Sequence, residues 1–295
     1  MNPPRPTELA ESWRLVDCIS DYAAAFTSVL DTSFGTDYID DGQVLALETL
    51  RLRGPSRVAE IEASTQLEPD AVLRFMRELR GRRLVESSRA AVDRRQRAYH
   101  LTDAGWAAVR RTASDLEAFF ADYAPLAGEV VRLTEAQAPA RTAVEPPPAD
   151  DPDPWTVAAG ISRTGQQLSR AIVARLGAER ESKVQGRRII AMIAICSQGE
   201  MRPSALAEEL GLSAAGATYL IDVLERHGLV TRERSLAGDR RTKRVVATTE
   251  GLAAAVAVHD ALQDIAPVLH AQFARLGAFA RPARAADAGP LPPAR

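Results

Sequence analysis

Two stretches of this 295-residue chain are versions of one another, so whatever it folds into is built twice. Residues 84–105 read LVESSRAAVDRRQRAYHLTDAG and residues 229–251 read LVTRERSLAGDRRTKRVVATTEG. Each opens on a β-prone stretch and reaches an Asp-Arg-Arg triplet, Asp93-Arg94-Arg95 in one and Asp239-Arg240-Arg241 in the other. Each then returns through a second β-prone stretch and enters a helix at Thr-x-x-Gly, Thr102 to Gly105 and Thr248 to Gly251. Upstream, Val44 pairs with Ile189, Arg57 with Arg202, Ile61 with Leu206, Leu67 with Leu212 and Leu79 with Leu224, all 145 residues apart. The second hairpin is one residue longer, and Trp13 matches Trp155 at an offset of 142. A unit of that size is a domain of the common ~100–150 residues, not a solenoid repeat.

The hydrophobic pattern predicts a mainly α chain with small β hairpins. Residues 7–133 form a first domain and 155–280 a second, joined by a Pro-rich, acidic linker over 134–154 and followed by a disordered tail over 281–295. Each domain opens on a long amphipathic helix, marked by Leu9, Trp13, Val16, Ile19, Ala23, Phe26, Leu30 and Phe34, and by Trp155, Ala158, Ile161, Leu168, Ile172 and Leu176. A second helix follows at 43–53 and at 187–197. Two short helices with a tight turn come next, at 58–64 with 69–82 and at 204–210 with 214–227. Ser213 is a candidate N-cap, and Gly228 can end its helix in the left-handed conformation. Arg83 stands where the second copy has Gly228, so that closure is disfavoured in the first copy unless Gly81 ends the helix earlier. The closing helices span 103–123 and 249–276, and Pro267 is expected to break or kink the latter.

Net charge is only −2, but it is unevenly spread. Glu145, Asp150, Asp151 and Asp153 lie in the linker, while arginines crowd both hairpins, and a phosphate backbone responds to the local field. Lys183 and Lys243 are the only lysines, so an arginine where lysine would serve carries little meaning here. Cys18 and Cys196 form no disulfide framework, and the first six residues lack the apolar core of a signal peptide. No apolar run of ~18 residues suggests a membrane span. Together these features fit a cytoplasmic protein.

The order helix, helix, helix-turn-helix, basic hairpin and helix, with Asp-Arg-Arg and then Thr-x-x-Gly, resembles the MarR family of bacterial transcription regulators. The resemblance covers both halves and implies two winged helix-turn-helix modules on a shared helical body. Members normally work as homodimers of one such domain, so this chain resembles two protomers fused into an intramolecular pseudodimer that acts as a monomer. The implied partner is double-stranded DNA and the implied role is that of a repressor. In such modules the second helix of the turn lies in the major groove. Its outward positions are Glu68, Pro69, Asp70, Leu73 and Arg74 in the first copy, and Ser213, Ala214, Ala215, Thr218 and Tyr219 in the second. Arg74 and Thr218 are the candidates for base contact, and Tyr219 for a phosphate contact or for packing.

On the hairpins, or wings, a guanidinium at the tip suits the negative potential of a narrow minor groove, and an aspartate two residues earlier can hold it by paired hydrogen bonds. The resemblance assigns these roles to Asp93 with Arg95 and to Asp239 with Arg241. Arg94, Arg97, Arg240, Lys243 and Arg244 would then grip phosphates, which position the protein without specifying sequence. The carboxylates Glu68 and Asp70 predict a weaker first module and an asymmetric operator. A second reading stays open: a ligand- or protein-binding module of this fold that has lost DNA affinity.

No catalytic set is visible, and His100, His227, His259 and His270 lie at no metal-ligand spacing with Cys or Glu. No cofactor is therefore expected, and no enzymatic activity. Cys18, with Tyr22 four residues on, resembles the first-helix cysteine of peroxide-sensing family members, although a small cysteine in a helix interface is also common core filler. The resemblance further implies a small, often aromatic effector, bound where the helical body meets a winged helix.

Overall fold

The computed structural model describes residues 4–36, 39–89, 97–137, 153–177, 187–234 and 243–279. The first half runs α1 (Pro6–Phe34), α2 (Asp41–Arg53), β1 (Ser56–Arg57), α3 (Val58–Thr65), α4 (Pro69–Gly81), β2 (Val85–Arg89), β3 (Arg97–Leu101), α5 (Asp103–Asp122) and α6 (Ala124–Thr134), then a 3-10 turn at Glu135–Gln137. The second half runs α7 (Pro154–Leu176), α8 (Arg187–Gln198), β4 (Glu200–Met201), α9 (Pro203–Glu209), α10 (Ala214–Arg226), β5 (Val230–Arg234), β6 (Lys243–Ala247) and α11 (Thr249–Ala274), then a 3-10 turn at Arg275–Phe279. The antiparallel sheets have matching orders, β1-β3-β2 and β4-β6-β5, and matching registers, Val85 opposite Leu101 and Val230 opposite Ala247.

The Thr-x-x-Gly sequence is the joint that locks each wing to its recognition helix. Thr102 Oγ1 accepts from Gly105 N at 3.0 Å and donates to the Arg83 carbonyl at 2.7 Å. Thr248 repeats both bonds, with Gly251 N at 3.0 Å and the Gly228 carbonyl at 2.6 Å. One hydroxyl thus caps the new helix and ties it to the end of the previous one. Glycine is required at the fourth position because a Cβ on Gly105 or Gly251 would overlap the carbonyl oxygen of Leu84 or Leu229.

The recognition helices are also closed alike. Gly228 has φ 71° and Gly211, in the preceding turn, φ 58°. Arg83 and Gln66, at the matching places of the first copy, adopt φ 59° and φ 58° without being glycine. The expectation that Arg83 would avoid the left-handed region is therefore corrected. Leu84 N bonds the Leu79 carbonyl at 2.9 Å as Leu229 N bonds that of Leu224 at 3.0 Å, and Thr102 holds the next carbonyl, so the closure is imposed from both sides.

Three further differences from the sequence reading have physical causes. The first half continues through α6 and the 3-10 turn to Gln137, because Ala127, Val130 and Thr134 are buried, with the Thr134 hydroxyl bonded to the Val130 carbonyl at 2.7 Å. Asp153 and Pro154 belong to the start of α7, where Asp153 accepts from Trp155 N and proline needs no N–H partner. Pro267 does not interrupt α11: its cost of ~3 kcal/mol is outweighed where Ile265, Ala266, Leu269 and Phe273 are buried around it. By length and composition Thr249–Phe279 is sufficient to cross a membrane, contrary to the expectation from the sequence. In the structure that segment packs on α6 and α7 as a core helix.

The halves exchange their first helices. Helix α1 lies on α8 of the second half, and α7 lies on α2 of the first, while α11 packs on α6. One hydrophobic core runs from Leu9 to Leu276 without a break between halves. At its centre Tyr22 meets Phe119 at 5.2 Å and, from the other half, Phe273 at 5.1 Å. Trp155, fully buried, donates its indole N–H to the Val109 carbonyl across the halves at 3.0 Å. Arg51 is paired with Glu48 at 2.6 Å and with Asp153, which fastens the start of α7 to α2.

Two outcomes are expected from this arrangement. Arg83→Gly removes a left-handed cost of ~1–2 kcal/mol and adds ~0.5–1 kcal/mol of chain entropy, so it should stabilise the fold by about 0.5–1 kcal/mol in thermal denaturation. The second prediction concerns Asp41, which sits against Gly165 of α7. Burial raises its carboxyl to about 6, the Ser162 hydroxyl opposing and Asp40 adding repulsion. A carboxyl raised on folding lends stability that is complete below its unfolded value, near 3.8, and is lost as pH rises through about 6. Asp41→Asn should therefore melt higher than the wild type at pH 8 by about 1–2 kcal/mol, and no higher at pH 4.

Candidate nucleic-acid interface

Helix α4 presents two faces. Val72, Phe75, Met76 and Leu79 are buried and carry the helix on the core, as the 3.6-residue period requires. Glu68, Pro69, Asp70, Leu73 and Arg74 are exposed, and so are Arg77 and Arg80, which the sequence reading passed over. Glu68 and Asp70 stand at the first turn, where the helix dipole favours them, and Glu68 makes no cap bond with its side chain, while Glu78 in the last turn is paired with Arg82. Three guanidiniums follow along the helix. A signal for the last two was present in the spacing, since 70, 74, 77 and 80 fall on one helical face.

Helix α10 is built on the same plan with different chemistry. Ala217, Ile221, Val223 and Leu224 are buried. Ser213 is the N-cap, its Oγ accepting from Gly216 N at 3.1 Å, and Ala214 and Ala215 follow it exposed. Thr218 donates to the Ala214 carbonyl at 2.8 Å, which leaves its oxygen lone pairs and methyl group facing outward. Tyr219 is 66% exposed. Further along, Asp222 and Glu225 are both paired with Arg232 of β5, which offsets one of their two negative charges within the module.

The wing tips carrying Asp93, Arg94 and Arg95, and Asp239, Arg240 and Arg241, lie outside the described residues. Their stems are described. Arg89 stands directly opposite Arg97 across β2 and β3, and both are exposed. In the second copy Arg234 stands opposite Lys243 across β5 and β6. Like charges in directly opposed positions destabilise a ladder. The first stem nevertheless closes on such a pair. Arg244 is paired with Glu200 across the sheet and its side chain is only 25% exposed, so in this structure it braces β6 on β4.

Cys18 lies in surroundings that do not favour its ionised form. Burial, with Asp17, Glu129 and Asp21 nearby, raises the thiol to about 11, so its thiolate is disfavoured where peroxide sensing needs it favoured. Tyr22 is 1% exposed within the aromatic cluster, and its hydroxyl has no hydrogen-bond partner. Cys196 is raised to about 12 by burial, as a packing residue would be. Among the described residues no three His, Cys, Asp or Glu side chains are grouped to hold a metal ion. His100 faces Glu86 at 3.1 Å on the first wing, and His259 and His270 bridge to Ser12 and Thr134 of the other half.

Comparison with known families places both modules. Residues 41–105, from α2 to the glycine that opens α5, match a winged helix DNA-binding domain. Residues 182–242 match the MarR family. No curated protein matches the chain. The two matches fall on the two copies of one architecture, each a recognition helix followed by a wing. The two matches support a tandem winged-helix protein of the MarR type, a kind of DNA-binding transcription regulator.

Proposed function

We propose that this protein is a ligand-responsive repressor that reads one asymmetric operator with two unlike winged helices. The observation that carries the reading is the pair of exposed recognition helices, each leading into a wing, the first of which sets exposed Arg89 directly opposite exposed Arg97 on its stem. A fold keeps opposed like charges at a cost, and a polyanion laid between the modules relieves it. Arg74 and Arg77 favour guanine, whose O6 and N7 accept a guanidinium bidentately, whereas Thr218 offers acceptor lone pairs to amino groups and a methyl to thymine. With three arginines beside Glu68 and Asp70, the first module binds in its own right and with the steeper salt dependence. The wing residues Asp93 with Arg95 and Asp239 with Arg241 enter the flanking minor grooves.

The protein acts in the cytoplasm as a covalent pseudodimer without catalytic activity. The effector is a small aromatic molecule bound beside α1, where Ala23, Ala24, Thr27, Ser28 and Asp31 line a groove of about 630 Å³.

Selection from a random DNA pool should enrich an operator whose two halves differ, with guanine prominent in one. A perfect palindrome with equal information in both halves contradicts the asymmetric reading, and no enrichment favours a module that has lost DNA affinity. Light scattering at low micromolar concentration should return 31.9 kDa, the mass of one chain. A stable dimer would replace the pseudodimer with a four-winged assembly.

A further inference from the structure

The turn that feeds the first recognition helix is held from the other half of the molecule. Gln166 of α7 donates its side-chain N–H to the Thr65 carbonyl at 3.0 Å. Arg170, one turn further along α7, donates to the side-chain oxygen of Gln66, and its Nε is steadied by the Gln166 carbonyl at 3.2 Å. The gripped backbone is itself constrained. Thr65 is fully buried with its hydroxyl bonded to Leu67 N at 3.2 Å, and Gln66 is, with Arg83, one of the two non-glycine left-handed residues among the described residues. Helix α4 starts three residues later, at Pro69.

The matching turn of the second half is satisfied differently. The Leu210 carbonyl accepts from Arg187 of α8, in the same half, at 3.4 Å. The residues of α1 that correspond to Gln166 and Arg170, at the offset of 142 that relates Trp13 to Trp155, are Ala24 and Ser28. Neither has the length to bridge, and both line the open groove of about 630 Å³. One turn is clasped from across the molecule by two long side chains, and the positions that match them on α1 carry short ones.

We infer that Gln166 and Arg170 are positioning residues for the first winged helix: they fix α4 to the helical body, so that adjustment to the spacing of two half-sites falls to the second module. This rests on the DNA-binding reading above. The test uses the selected operator with one base pair inserted or removed between its halves, titrated with wild type, Gln166→Ala/Arg170→Ala and Arg170→Lys. A rigid module should penalise each altered spacing by about tenfold in affinity, and the double alanine variant should reduce that penalty below about threefold. Arg170→Lys, which keeps a donor for Gln66, should restore most of it. Hydrogen exchange without DNA should show faster exchange over residues 65–72 in the double variant and no change over 210–217. If the double variant fails to fold, Arg170→Ala alone, at an exposed side chain, makes the same comparison. A spacing penalty and an exchange pattern unchanged from the wild type overturn the inference. A wild type that binds no operator sinks the DNA reading instead, and the exchange comparison then decides alone whether the clasp fixes the turn.

Discussion

Helix α8 has no face for water: from Ile189 to Cys196 every residue is buried. In the first half α2 is the same, buried without interruption from Val44 to Leu50. A helix that is covered all round needs neighbours on all sides, and its own winged helix supplies only some of them. The remaining cover comes from the first helix of the opposite half. Uncovering three large aliphatic side chains costs roughly 5–9 kcal/mol, comparable with the whole stability of a domain at ~5–15 kcal/mol. The two halves are separate in sequence and one body in thermodynamics. Each winged helix is consequently mounted on a platform that the other half completes.

On that platform charge is distributed by position. The basic side chains of the first module stand on the outward face of α4 and on the stem of its wing. In the second module two acids, Asp222 and Glu225, share the single guanidinium of Arg232, which offsets half of their charge. Arg244 shows the opposite use of a guanidinium: paired with Glu200, it joins two strands. Identical residue types on one β-hairpin therefore do unlike work according to what lies across the sheet.

Much of this was legible in the sequence because the copies annotate one another. Two hairpins with the same triplet, each followed by Thr-x-x-Gly, announce the winged modules, and the periodicity of Val72, Phe75, Met76 and Leu79 announces the buried face of α4. What could not be read depended on partners far away in the chain. The ordered extent of α6 follows from its packing against α11, and nothing in its own pattern sets its end. Pro267 reads as a breaker until the neighbouring core is known. Arg83 reads as an obstacle to a left-handed closure, whereas the bonds of Leu84 and Thr102 force that closure on it. Cys18 had a suggestive neighbour in Tyr22, but local spacing does not reveal that burial and nearby carboxylates oppose its ionisation.

In a homodimer every substitution is made twice, once in each subunit, so any local cost is doubled. Fusion removes that rule. A non-glycine residue held at positive φ costs ~1–2 kcal/mol, and a symmetric pair of such sites would cost twice as much. Gln66 and Arg83 carry that cost in one copy only, while Gly211 and Gly228 keep the relaxed form in the other. A gene encoding both halves can therefore explore changes in one recognition module at half the load a single-domain ancestor would bear. Gln66 and Arg83, in the turns before and after α4, are a load of that one-sided kind.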